Sequence, residues 1–127
     1  MGKIVVWNTN GNEDYSNHPN NFYIGRLRGK VNILSNPFTF NGKRSNIAKL
    51  SFRTRGEALE AYKLYFDRMI ETNEEFKRDF DAIYEKYRNG EDVYLQCFCH
   101  PQPCHGDYIA EKLQERLLNE MLAKRKG

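Results

Sequence analysis

The residues best equipped for chemistry lie in one segment, Cys97-Phe98-Cys99-His100-Pro101-Gln102-Pro103-Cys104-His105-Gly106-Asp107. His105 has an ordinary pKa near neutrality, so it can donate to a phosphate or act as general acid or base. Cys104, at the start of a helix, sits where the helix dipole lowers a thiol pKa and makes the sulfur nucleophilic. Asp107 can cap that helix or accept from a ligand hydroxyl. Gly106 lets the backbone come close to a ligand, while Pro101 and Pro103 stiffen the loop. Plainer roles compete: Cys97 and Cys99 as small core residues and His105 as a capping donor. For Cys97 the core reading is favoured, because free cysteine is among the most buried residue types. The segment also holds five potential zinc ligands, Cys97, Cys99, His100, Cys104 and His105. Structural zinc favours pairs about two to four residues apart and a distant second pair, and the remaining histidine is His18, so no metal or other cofactor is assigned.

Asp92 to Phe98 is a short, mostly apolar run of β-formers and reads as a central strand buried on both faces. Ile109, Leu113, Leu117 and Met121 mark a final amphipathic helix. A strand followed by a helix places the loop between them at the carboxyl edge of a sheet, where open α/β folds bind ligands. The first amides of the helix attract anions, so the segment predicts a phosphate site. Gly25 and Arg26 at a strand end, Asn36 before Pro37, and Arg55 in a helix cap are candidate ligand contacts, with Cys99, Pro103 and Gly106. Two guanidinium groups clamp a phosphate bidentately. Separately, the first arginine reads as a solvated hairpin charge, Asn36 as an Asx-turn and the second arginine as a surface residue.

Other elements must carry this site. Ile4 to Asn8 is a β-branched strand, and the polar stretch from Thr9 to Asn21 is a long loop and a candidate lid. Phe22 to Arg26 and Val31 to Leu34 read as short strands bracketing a basic turn, as in a hairpin. Pro37 ends the second of them, and Asn41-Gly42 supplies a turn. Thr54-Arg55-Gly56-Glu57 has the form of a capping box, ahead of an apolar stripe of Leu59, Tyr62, Phe66 and Met69 on a helix of about four turns. Thr72-Asn73-Glu74-Glu75 repeats the signature before Phe76, Phe80, Ile83 and Tyr87. Asn89-Gly90 closes that helix as a left-handed cap. Alternating strands and helices predict an α/β fold, a small layered Rossmann-like sheet with flanking helices.

The chain has 127 residues, the size of one domain spanning 1–127. Its 20 basic and 17 acidic residues are interspersed and leave a net charge of +3. That balance suits an anionic small ligand and lacks the basic stripe that makes nucleic acid the default partner. No apolar stretch approaches the roughly 20 residues of a membrane span, and the N-terminus passes straight into a strand pattern with no leader. Three cysteines within eight residues argue for reduced thiols and a cytoplasmic location.

Read in order, Tyr23-Ile24-Gly25-Arg26, Asn36-Pro37-Phe38, Arg55 ahead of Glu57-Ala58-Leu59-Glu60-Ala61-Tyr62, and Leu95 through Asp107 resemble the DUF4326 family, small uncharacterised domains of bacteriophages and bacteria. Phe98 stands where the family pattern has tryptophan, and the stretch from Gly29 to Leu50 is longer than the pattern. The resemblance implies an α/β fold and a phage or bacterial origin, with the host cytoplasm as the location in the phage case. Its strand-Cys-loop-Cys-His-helix layout is similar to nucleotide-binding domains. The leading expectation is a binder of a nucleotide-type or other phosphorylated small molecule, one that sequesters a nucleotide signal of host defence in a phage. An enzyme acting on a nucleotide or nucleoside stays open, with His105 or Asp107 as acid/base and Cys104 as nucleophile. So does a zinc-supported interaction module, and a homo-oligomer is compatible with any of them.

Overall fold

The structure, a computed structural model, describes residues 2–11, 13–27, 30–31, 34–35, 38–40, 50–52, 54–97 and 104–126. The β-branched run at the N-terminus forms β1 (Ile4–Asn8), and the apolar run before the cysteine segment forms β7 (Val93–Cys97). Between them come β2 (Asn21–Tyr23), β3 (Arg26–Leu27), β4 (Lys30–Val31), β5 (Phe38–Phe40), β6 (Leu50–Phe52), α1 (Arg55–Thr72) and α2 (Glu74–Arg88). The chain continues from β7 into α3 (His105–Lys126). The fold is mixed α/β, as expected. β1, β7 and β2 form a parallel sheet with β7 in the centre. Phe22 and Tyr23, expected in a hairpin strand, belong to β2 instead, and the short antiparallel pair β3–β4 falls mostly within the stretch expected to be the turn. β5 and β6 pair in parallel, a contact without a sequence signal because each strand is only three residues long.

Strand alternation divides the sheet into two unlike faces. Val93, Leu95 and Cys97 point to one side, all fully buried, and there they meet Tyr62 and Phe66 of α1, the Phe76, Phe80, Ile83 row of α2, and Ile109 and Leu113 of α3. All three helices therefore contribute to the core on one face. Tyr94 and Gln96 point the other way and are only half-buried. The expectation of a strand buried on both faces fails here, because the second face is covered by a loop instead of a helix. That cover is the segment expected to be a lid. Tyr15 stacks on Tyr94 with ring centroids 4.4 Å apart, meets Trp7 edge-on at 5.7 Å, and His18 lies 4.4 Å from the Tyr94 ring. The aromatic residues of the loop fasten it to the sheet face, not over the carboxyl edge.

The helix core is ring against ring. Phe66 meets Phe76, Phe80 and Tyr108 edge-to-face at 5.2, 5.4 and 5.4 Å, the arrangement that the ring quadrupole favours. Thr54 accepts from the Glu57 amide at 3.2 Å and starts α1 as expected. The start of α2 lies one residue later than the repeated signature suggests. Thr72 remains in α1, where its hydroxyl donates to the Arg68 carbonyl at 2.8 Å, a back-bond that competes with capping. Asn73 is extended and its side chain accepts from the Phe76 amide at 3.0 Å. The same residue donates its own amide to Met69 O and so ends α1. Gly90, with φ of 87°, takes the left-handed conformation after α2. The Asn41-Gly42 turn and Pro37 lie outside the described residues.

Candidate functional site

α3 begins with a cap built from the residues singled out for chemistry. Cys104 stands just before the helix. Its amide donates to Asp107 Oδ2 at 3.1 Å, and the Asp107 amide donates back to the Cys104 carbonyl at 3.0 Å. The Gly106 amide is directed at the Cys104 sulfur. This is a capping box with a thiol in the place of a hydroxyl. Asp107 therefore caps, as one of its two readings held. The open anion site expected at this helix start is corrected: the amides of Cys104, Gly106 and Asp107 have partners within the chain, and a carboxylate already meets the positive end of the dipole.

Gly106 also has a different reason from the one expected. A Cβ there would lie 3.0 Å from both Ile24 Cδ1 and Val6 Cγ1, so glycine allows the first turn of α3 to press on the sheet, not on a ligand. At Gly25 a Cβ would lie 2.8 Å from the Tyr23 hydroxyl; glycine leaves room for that ring.

His105 is buried, 7% exposed, and its Nε2 lies 2.6 Å from the Ile24 carbonyl. A carbonyl only accepts, so Nε2 carries a proton and donates. The ring also meets Tyr62 edge-on at 5.2 Å, and the Tyr62 hydroxyl donates to Leu34 O at 2.6 Å. One histidine nitrogen is thus committed to joining α3 to the end of β2. The capping-donor reading comes nearest, although the carbonyl it binds belongs to another element.

Cys104 is buried too, and its thiol donates to Cys97 Sγ at 3.5 Å. That bond and burial push the Cys104 thiol far above the ordinary range, helped by the nearby Asp107 carboxylate; the Gly106 amide opposes them. The lowered pKa expected from the dipole is therefore overturned. Desolvation and an adjacent sulfur outweigh a single aligned amide.

A cavity of about 220 Å³ opens between the first turns of α1 and α3. Tyr62 and Cys104 line it, with Gly56, Lys63, Glu60, Asp107 and Glu111. A drug-sized ligand occupies roughly 300–1,000 Å³, so this space suits a sugar or a phosphoryl group. A larger groove of about 560 Å³, between Asn89 and the Leu117–Lys124 stretch of α3, holds none of the candidate residues. At the carboxyl edge of the sheet, Trp7 Nε1 donates to Asn21, Asn21 to Gln96, and Gln96 to Thr9, each at 2.9 Å. This ladder holds the start of the covering loop.

Two parts of the sequence motif meet at the cavity, and a third lies beside the carbonyl that His105 binds. Gly25 and the backbone of Arg26 follow Ile24, whose carbonyl receives His105. The backbone of Arg55 precedes Gly56, a wall of the cavity. Cys104 to Asp107 form its other side. The side chains of Arg26 and Arg55 lie outside the described residues, as do Asn36, Cys99 and Pro103 entirely. Sequence reasoning missed Lys63 and Glu111, which carry helical spacing but no motif, and it named Glu60 and Tyr62 within the family-like segment without assigning either to the site. No helix among the described residues is long and apolar enough to cross a membrane.

The chain is similar to an uncharacterised 12.4 kDa protein from the nrdA-td intergenic region of Enterobacteria phage T4, 32% identical over 91 residues, covering 68% of this chain and 78% of that one. No solved structure matches it. A family model matches residues 7–115, and the chain belongs to that family, DUF4326, a domain of unknown function.

Proposed function

We propose that this protein binds a nucleotide-type or other phosphorylated small molecule, with its sugar or phosphoryl group in the cavity between α1 and α3 that Cys104 and Asp107 help to line. The observation that supports the reading is the meeting of two sequence-distant segments, Gly56 to Lys63 and Cys104 to Glu111, around a space sized for a sugar or a phosphoryl group. Glu60, Asp107 and Glu111 on its lining suit hydroxyl groups, since a carboxylate accepts from a sugar O–H. Lys63 lines the same space and is a cation for a phosphate, and the motif arginines Arg26 and Arg55 are further candidates. The amides of α3 are not part of this recognition. Binding is favoured over catalysis because a buried, protonated thiol at Cys104 and a committed Nε2 at His105 serve structure before chemistry. With a phage relative, the reading takes the form of a stoichiometric binder that withdraws a nucleotide signal of host defence in the cytoplasm.

Isothermal titration and native mass spectrometry with a panel of mono-, di- and cyclic nucleotides test this. A 1:1 complex recovered with unchanged ligand is expected. Arg55→Ala and Lys63→Ala each weaken it about tenfold, the scale of one charge-assisted hydrogen bond. Absence of binding across the panel at millimolar concentration refutes the reading, and turnover of the ligand replaces it with the enzyme.

A further inference from the structure

We infer that Cys97 and Cys104 form a reversible modification site, a dithiol that closes to an intramolecular disulfide when a peroxide reaches it. The inference stands apart from the nucleotide reading, because it rests on two sulfurs and a path to one of them. The Sγ atoms are 3.5 Å apart, neither is in a disulfide, and the Cys104 S–H is directed at Cys97 Sγ. A disulfide needs a separation of about 2.05 Å, so the sulfurs must approach by about 1.5 Å. Rotation of the two side chains supplies that order of movement. Both sulfurs are otherwise enclosed by core, which holds them together in the folded chain.

Access is asymmetric. Cys104 lines the cavity of about 220 Å³, whereas Cys97 is the fully buried end of the central strand. A water molecule has a share of liquid volume of roughly 30 Å³, so hydrogen peroxide, with one more oxygen atom, fits the cavity easily. Cys104 therefore reacts first. Its sulfur attacks one peroxide oxygen, the O–O bond breaks, and the departing oxygen leaves as water with the thiol proton, which gives Cys104 sulfenic acid. The Cys97 sulfur then attacks Cys104 Sγ. The S–S bond forms, the S–OH bond breaks, and the hydroxyl leaves as a second water with the Cys97 proton. Two thiols lose two electrons and the peroxide gains them. Because burial and the neighbouring sulfur keep Cys104 protonated at neutral pH, closure is slow there and accelerates as pH rises. The bond ties the centre of the sheet to the first turn of α3 across the six intervening residues.

The test uses the whole reduced protein. It is exposed to hydrogen peroxide, quenched, denatured, alkylated with N-ethylmaleimide and read by intact-mass and top-down fragmentation. The reduced chain takes three labels. The oxidised monomer takes one, which fragmentation places on Cys99, and dithiothreitol restores all three. In Cys99→Ser the oxidised chain takes none; should that variant not fold, the wild-type label position decides alone. Retention of all three labels, a surviving label on Cys97 or Cys104, label loss with added oxygen atoms, or a bridge between two chains overturns the inference.

Discussion

Replacing His105 by alanine removes a side chain that ties the start of α3 to the residue after β2. Two losses are added. The Ile24 carbonyl, buried with its residue, loses the donor 2.6 Å away, and a buried acceptor without its partner costs about 1–3 kcal/mol. The edge-on contact with Tyr62 at 5.2 Å is an aromatic pair worth about 0.5–1.5 kcal/mol. Together His105→Ala is expected to destabilise by about 2–4 kcal/mol. With a urea slope of about 2 kcal/mol/M for a chain of this size, the midpoint falls by about 1–2 M. His105→Gln restores an N–H donor without the ring and recovers about half of the loss. Urea unfolding followed by far-ultraviolet circular dichroism measures both variants. A loss below about 0.5 kcal/mol for the alanine variant, or glutamine no better than alanine, refutes the assignment of Nε2 as donor to Ile24. The same pair separates structure from recognition: if His105 acts on a ligand only by positioning α3, glutamine restores affinity in step with stability.

Further expectations concern the elements that hold the site. Asn73 caps α2 and ends α1, so Asn73→Ala costs about 1 kcal/mol in the same unfolding assay while Asn73→Asp is nearly neutral; equal losses in both refute the cap. Phe66→Ala, at the centre of the ring cluster, costs about 3–5 kcal/mol, against less than about 1.5 kcal/mol for a surface change such as Leu64→Ala. Burial first, and then its hydrogen bond to Glu120, push Tyr84 up to about 12. The folded value lies above the unfolded value of about 10. The stabilisation from Tyr84 is therefore complete below about pH 10 and is lost as pH rises towards 12. Ultraviolet titration of Tyr84→Phe should lack one late-ionising tyrosine; an unchanged late phase refutes the assignment.

Much of the fold was legible because its signals are local. Ile4 to Asn8 forms a strand with those bounds, Thr54 caps α1, and Gly90 closes α2. What escaped depends on partners distant in sequence. Nothing in Thr9 to Asn21 announces that Tyr15 will lie on Tyr94 instead of over the carboxyl edge. Thr72 and Asn73 both satisfy capping chemistry, and the choice falls on Asn73 because the Thr72 hydroxyl already has the Arg68 carbonyl. At the site, Asp107 was legible as a candidate cap of the helix. The raised Cys104 pKa was not, since it is imposed by Cys97 across a fold that the spacing alone does not close.

The motif also shows how architecture can take the form of chemistry. Cys104 and Asp107 stand three residues apart because a capping box requires that spacing, Gly106 is glycine because Val6 and Ile24 lie where a Cβ would be, and His105 follows the cap so that its ring reaches the Ile24 carbonyl. All four residues fix α3 against the sheet, and none needs a ligand to account for it. On the proposed reading, recognition falls to the less patterned side chains that line the cavity, Glu60, Lys63 and Glu111 on the helices. A variant such as Lys63→Ala, which removes a cation from the lining and leaves the cap intact, is therefore the sharper probe of function, and His105→Ala the sharper probe of fold.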